Sequence, residues 1–185
     1  MNDIKRNPVV KVILLGESGV GKTSLINVTI GNEFNSHEEV TFVNSYVEKK
    51  CVINNQTYIL NIWDTIGQEK YRQLTKLFFK DSKIVILVYD KSSKQSFDAM
   101  DYWAEEVRNE LGNDIILALA ANKDDLDEEN EDVDINVAEE FAKKINSKFK
   151  MVSAKLNAKG FEDFLEELLK DYINKYGNEI MKNNY

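Results

Sequence analysis

The sequence predicts an α/β domain built on a six-stranded, mostly parallel sheet with one antiparallel strand and helices on both faces. Three observations predict it. Short apolar runs that suit strands alternate along the chain with segments of helical period, an alternation that needs helices packed on a parallel sheet. The first run, Val9 to Leu15, is almost continuously apolar, as a central strand covered on both faces must be. Directly after it, Gly16-Glu17-Ser18-Gly19-Val20-Gly21-Lys22-Thr23 leads into the helix-compatible stretch Ser24 to Ile30.

The remaining elements follow in order. Residues 1–8 are a polar lead-in closed by Pro8, and residues 9–176 form one domain, followed by the tail 177–185. Gly31 to Asn44 is polar and aperiodic and reads as a long loop. Ser45 to Ile53 and Thr57 to Trp63 alternate in strand fashion around Asn54-Asn55, which makes them an antiparallel hairpin. After Trp63-Asp64-Thr65-Ile66-Gly67-Gln68, a helix-compatible segment runs to Phe79. Ile84 to Tyr89 is a buried strand, Ser93 to Leu111 a helix stopped by Gly112, and Ile115 to Ala121 a further strand. Asp124 to Asp134 holds eight carboxylates in eleven residues, without the spacing or central glycine of a calcium loop, so it reads as a solvated loop. Val137 to Ile145 is a helix and Phe149 to Val152 the last strand. Phe161 to Tyr176 is an amphipathic helix with Phe161, Phe164, Leu165, Leu168, Leu169 and Tyr172 on its inner stripe.

Composition narrows the function. The chain has 185 residues and a net charge of -8, a balance that disfavours a nucleic-acid partner, which needs a basic face. Its single cysteine, Cys51, cannot form an intrachain disulfide, and no run is long and apolar enough for a membrane span, so a soluble cytoplasmic protein is expected. Asn2 excludes myristoylation, and Tyr176 to Tyr185 holds no cysteine for prenylation.

The glycine loop carries the chemistry. Its backbone N–H groups and the positive end of the next helix form a nest for phosphate oxygens, which is the arrangement of P-loop NTPases. Gly16, Ser18, Gly19, Val20 and Gly21, with Lys22, Thr23 and Ser24, are the expected phosphate contacts. Lys22 supplies a point charge, and the Thr23 hydroxyl a ligand for Mg²⁺. Two later motifs close strands: Asn122-Lys123-Asp124-Asp125 and Ser153-Ala154-Lys155. A carboxylate at Asp125 can accept from N1–H and the exocyclic amine of guanine, whereas adenine offers it an acceptor. The N–H of Ala154 can donate to guanine O6, the stems of Lys123 and Lys155 can cover the ring, and Asn122 can tie both loops to the phosphate loop. The expected ligands are GTP or GDP with Mg²⁺.

In this order and placement, the GxxxxGKT, DxxGQ, NKxD and SAK motifs resemble those of the Ras superfamily of small GTPases over about Val9 to Tyr176. Trp63 before Asp64 and the ungapped spacing from Lys22 through Thr41 to Asp64 look most like the Rab branch. The resemblance implies a G domain that binds GTP, hydrolyses it and regulates vesicle traffic. It makes Thr41 the switch I threonine, Asp64 the switch II aspartate, Phe34 the aromatic against guanine, Gly67 a donor to the γ-phosphate and Gln68 the catalytic residue that orients water. Thr23, Thr41 and Asp64 then serve the metal. It also implies a monomer that meets an exchange factor, an activating protein and effectors through residues 34–46 and 64–79. A membrane enters only through a lipid anchor absent from this chain, which would place the full-length protein on the cytosolic face of endomembranes.

Departures from the Rab pattern stand beside the likeness. Phe42-Val43-Asn44-Ser45-Tyr46 and Phe78-Phe79-Lys80-Asp81-Ser82 replace the family's usual segments, while Tyr46, Trp63 and Phe78 keep an aromatic triad in kind. Ile66 stands where the family has alanine, beside the γ-phosphate donor; it either biases the switch and slows hydrolysis or turns into an apolar pocket. The only arginines are Arg6, Arg72 and Arg108, none of them in the Gly31 to Asn44 loop, so a catalytic arginine is expected from a partner. Two alternatives stay open at this point: a slow-hydrolysing, nucleotide-locked binding scaffold with the same fold, and a P-loop ATPase or kinase. The sole histidine, His37, reads as an exposed loop residue.

Overall fold

A computed structural model describes residues 7–39, 41, 45–67, 75–126 and 131–182, with backbone alone for 178–182. Six strands form one sheet in the order β2-β3-β1-β4-β5-β6. They are β1 (Val9–Leu15), β2 (Ser45–Ile53), β3 (Gln56–Asp64), β4 (Ile84–Asp90), β5 (Ile116–Asn122) and β6 (Lys148–Met151). Every neighbouring pair is parallel except β2 with β3, as expected. Their hairpin turns at Asn54-Asn55, whose φ values of 51° and 62° are those of a primed two-residue turn, a conformation asparagine tolerates better than most residues.

Side-chain alternation divides the interior into two cores. Val10, Val12 and Leu14 of β1 and Ile84, Ile86 and Val88 of β4 point to the face covered by α1 (Lys22–Thr29) and the long C-terminal helix. Ile13, Leu15, Val85, Leu87 and Tyr89 point to the other face, where Met100, Trp103 and Val107 pack. All seven residues of β4 are therefore buried, which is why that strand reads as a continuous apolar run.

The helices depart from the sequence reading in their bounds. The expected helix from Ser93 to Leu111 is two, α2 (Lys94–Asp98) and α3 (Met100–Leu111), interrupted at Ala99. The Ser96 hydroxyl donates back to Ser93 O at 2.8 Å and lies 3.2 Å from Asp90 O, competing with the regular ladder and tying α2 to the end of β4. Helix α4 (Ile135–Lys144) begins two residues earlier than expected, because the Asp134 carboxylate accepts from Asn136 N at 2.7 Å and caps it. Helix α5 (Ala158–Lys182) runs beyond both expected ends. Gly112, with φ 70°, stops α3 as anticipated. Most of the helix expected between Gln68 and Phe79 lies outside the described residues; within them is a 3₁₀ turn, Lys76–Phe78.

Strand order reverses at β1, with β3 on one side and β4 on the other. In a doubly wound sheet that reversal opens a crevice beyond the carboxyl ends of the strands. The glycine loop after β1, the Asp64 segment after β3 and the Asn122 segment after β5 all emerge there.

Candidate functional site

The crevice holds a cavity of about 440 Å³. Ser18, Gly19, Gly21, Lys22, Thr23 and Ser24 line its phosphate-loop end, and Asn122, Lys123, Asp125, Ala154 and Lys155 the opposite end. Phe34, Thr41 and Gly67 close it from the loops that follow α1 and β3. Gly16, Val20, Asp64 and Ser153 are not part of this lining. Gln68 lies outside the described residues.

At the loop end, Lys22 is almost fully buried and its Nζ donates to Gly16 O and Glu17 O, each at 2.9 Å. Burial pulls its ammonium down to about 8, against the opposing charges of Asp64 and Glu17, so the cavity wall holds a cation that calls for anionic company. Glycine is needed where this loop meets its neighbours. A Cβ on Gly21, whose φ is 92°, would run into the Asn122 amide, and one on Gly67 would lie 2.5 Å from Lys22 Nζ and 2.6 Å from Glu17 O. The backbone of Gly67 is thus laid directly against the phosphate loop.

Between these elements sits a cluster of hydroxyls on a carboxylate. Thr23 Oγ1 donates to Asp64 Oδ2 at 2.7 Å, and Thr41 Oγ1 is 2.9 Å from Thr23 Oγ1 and 3.3 Å from Asp64 Oδ2. Burial pushes the Asp64 carboxyl upward, while the Thr23 hydrogen bond and the Lys22 charge pull it back. Its Oδ1 is buried with no hydrogen-bond partner among the described residues. An orphaned carboxylate oxygen beside two hydroxyls is an all-oxygen donor set, and it fits a small hard cation such as Mg²⁺.

At the other end, Asn122 bridges the loops as expected, its Nδ2 donating to Val20 O at 2.8 Å and its Oδ1 accepting from Ala154 N at 3.3 Å. The Asp125 carboxylate, only 7% exposed, accepts from Ser153 Oγ at 2.7 Å and lies 3.6 Å from Lys155 Nζ. Ser153 Oγ also accepts from Leu156 N at 3.0 Å, which orients its proton toward Asp125, so Asp125 cannot swing away without a loss.

Three residues escaped the sequence reading. Thr65 is buried and donates to Leu14 O at 2.6 Å, stapling the end of β3 to β1 below the Gly67 turn. Trp103 Nε1 donates to Glu17 Oε1 at 3.0 Å and so joins α3 to the phosphate loop. Asp90 pairs with Lys123. Each signal is a pair far apart in the chain, which no local motif reveals.

Beside the crevice, Tyr46 and Trp63 stack at 5.0 Å and Trp63 meets Phe78 at 5.5 Å. Tyr46 is half exposed and Leu77 largely so, giving an apolar surface next to the segments that carry Thr41 and Gly67. Among the described residues, no helix is long and apolar enough to cross a membrane.

The comparisons agree with this geometry. Residues 11–174 match the model of the Ras family. The chain is 41% identical over 163 residues to the Ras-related protein Rab-21 of Mus musculus and to that of Homo sapiens, covering 88% of this chain and 72% of each relative. It is 39% identical over 160 residues to Ras-related protein Rab-21 of Geodia cydonium, covering 86% of this chain and 69% of that protein. Such proteins act with exchange factors, activating proteins and effectors. The chain belongs to the Ras family as a Rab-like small GTPase, a switch of vesicle trafficking that binds GTP and GDP with Mg²⁺ and hydrolyses GTP.

Proposed function

We propose that residues 34–46 and 64–79 are the two segments through which partners read the bound nucleotide, and that the residues around the cavity divide into three tasks. Asp125, Ala154, Lys123 and Lys155, with Phe34, read guanine; Asn122 and Ser153 hold them. Gly16 to Ser24 bind the phosphates through backbone N–H groups, Lys22 and the hydroxyls. Thr41 and Gly67 sense the γ-phosphate, and Gln68 orients the attacking water.

The observation that supports this reading most is the meeting of Thr41 with Thr23 and Asp64 within 3.3 Å. Thr41 comes from a loop that is neither helix nor strand through residues 32–39, and that loop meets the core through the Thr41 hydroxyl and through Glu38, whose Oε1 accepts from Asn27 Nδ2 at 2.8 Å. Thr23, Thr41 and Asp64 would hold Mg²⁺, which when bound neutralises phosphate charge. When the γ-phosphate leaves, Thr41 and Gly67 lose what holds them and both segments relax. An exposed apolar patch built on Tyr46, Trp63, Phe78 and Leu77 straddles them, and effector binding there follows the state of the loops.

The likeness to Rab-21 supports action on the cytosolic face of an endomembrane through a lipid anchor, and the monomeric state is part of this proposal alone. Fractionation of the full-length gene product, with and without prenylation, tests that placement.

Competition binding tests the site. GTP and GDP are expected to outbind ATP by about 10⁴-fold, because ATP leaves the Asp125 carboxylate facing an acceptor. Thr41→Ala is expected to weaken GTP in the presence of Mg²⁺ by about tenfold while leaving GDP nearly unaffected, the loss of one charge-assisted contact. Equal ATP affinity sinks the base assignment; equal weakening of both guanine nucleotides sinks Thr41 as sensor.

A further inference from the structure

Strands β4 and β5 end in two short polar segments, Asp90-Lys91-Ser92-Ser93 and Asn122-Lys123-Asp124-Asp125, and the register places Asp90 directly beside Asn122. Their charges therefore run in opposite order along neighbouring strand ends and pair crosswise. Asp90 Oδ2 is 2.5 Å from Lys123 Nζ, and Lys91 Nζ is 3.5 Å from Asp124 Oδ1. Neither strut is loose. The other oxygen of Asp90 accepts from Ser92 N at 2.9 Å and from Ser92 Oγ at 2.7 Å, which fixes the carboxylate in its plane. Lys91 is buried, its N–H donates to Asn122 O at 3.1 Å, its carbonyl accepts from Asp132 N at 3.0 Å, and Glu131 lies 3.8 Å from its Nζ.

These contacts separate two aspartates that follow one another in the base-facing segment, of which the sequence reading assigns Asp125 to the base. Asp124 is drawn outward to Lys91 and its side chain is 39% exposed, whereas Asp125 faces the cavity and is 7% exposed. Lys123, meanwhile, has φ 67°, a left-handed backbone that an L side chain adopts only when something holds it. Asp90 grips the far end of that side chain.

We propose that Asp90 and Lys91 are positioning residues for guanine recognition: together they hold Lys123 along the cavity wall, turn Asp124 away from it, and thereby set both base selectivity and the rate of nucleotide release. This rests on the reading of Asp125 and Lys123 as base contacts. A charge-assisted, partly buried contact is worth enough to change a dissociation rate about tenfold.

The test follows release of labelled GDP, GTP and inosine diphosphate from the loaded full chain into excess unlabelled GDP. Inosine lacks the exocyclic amine, so the ratio of its release rate to that of GDP reports how well Asp125 is aimed. Asp90→Asn and Lys91→Met are each expected to speed release of GDP and GTP about tenfold and to shrink that ratio, an effect that simple loss of fold stability does not produce. Lys91→Met combined with Asp124→Asn is expected to be no faster than the faster single variant. Ser92→Ala, which keeps every charge and removes one of the two hydrogen bonds on that Asp90 oxygen, is expected to speed release about threefold and covers the case in which the charge variants do not fold. Unchanged release and ratio in Asp90→Asn, Lys91→Met or Ser92→Ala, alongside loss of the ratio in Asp125→Ala, overturns the proposal and leaves the base site standing. A ratio that survives Asp125→Ala overturns the base site and the proposal with it.

Discussion

Ile66 is the residue at which the sequence pulls in two directions. Its bulk beside the Gly67 donor suggests a slowed timer, yet the side chain is buried, absent from the cavity wall, and its carbonyl accepts from the buried Thr75 hydroxyl at 3.3 Å. Burial away from the cavity wall favours the alternative in which Ile66 turns away from the γ-phosphate. Replacing Ile66 by alanine is therefore expected to cost about 2–4 kcal/mol of stability through the cavity left behind, and to change single-turnover GTP hydrolysis less than threefold. Urea unfolding beside a single-turnover assay checks both; a rate rising tenfold or more with little loss of stability would make Ile66 a brake instead. Gln68→Leu is expected to slow hydrolysis in either background, since the residue assigned to orient water is then apolar.

Among the elements, α5 shows most directly how a pattern in the chain becomes energy. Its inner stripe, Phe161, Phe164, Leu165, Leu168 and Leu169, is fully buried against the sheet face that also packs α1. Lys49 of β2 joins the same layer, its Nζ donating to Thr29 O at 2.9 Å and to Glu162 Oε1 at 3.0 Å, so α1, β2 and α5 are clipped together beneath the loop that carries Thr41. Leu168→Ala is expected to cost about 2–5 kcal/mol, whereas Lys170→Ala on the exposed side is expected to stay within about 0.5 kcal/mol. Urea midpoints compared at constant slope decide this. A small loss at Leu168 would mean that the helix can settle into the gap.

At the scale of the whole molecule, two buried acids tie stability to alkaline pH. Burial raises the Tyr89 hydroxyl well above its usual range, helped by the charge of Glu131, and burial likewise raises the Cys51 thiol. In both cases the folded chain holds its proton more tightly than the unfolded chain. Below the unfolded-chain pKa, about 8.5 for the thiol and about 10 for the phenol, the two states bind protons alike and nothing is lost; above it the unfolded chain ionises first and stability falls, by up to about 1.4 kcal/mol per pH unit for each group. Thermal unfolding at pH 8 and pH 10.5 should therefore show a smaller drop for Tyr89→Phe than for the parent chain. Equal drops would mean that the hydroxyl is no more costly to ionise inside than outside.

What the chain determined by itself was everything encoded at short range. The glycine loop between an apolar strand and a helix, the hairpin at Asn54-Asn55, the buried run of β4 and the stripe of α5 are periodicities and turn chemistries that operate within a few residues, and they located six strands along the chain. Asn122, Asp125 and Ala154 were readable for the same reason, since each closes or follows a strand whose end must face the crevice. Only the tertiary structure could pair Asp124 with Lys91, bring Thr41 onto Thr23 and Asp64, break the helix at Ala99, or pair Trp103 with Glu17. Those outcomes depend on partners tens of residues away, whose distance along the chain says nothing of their separation in space until the sheet register is formed.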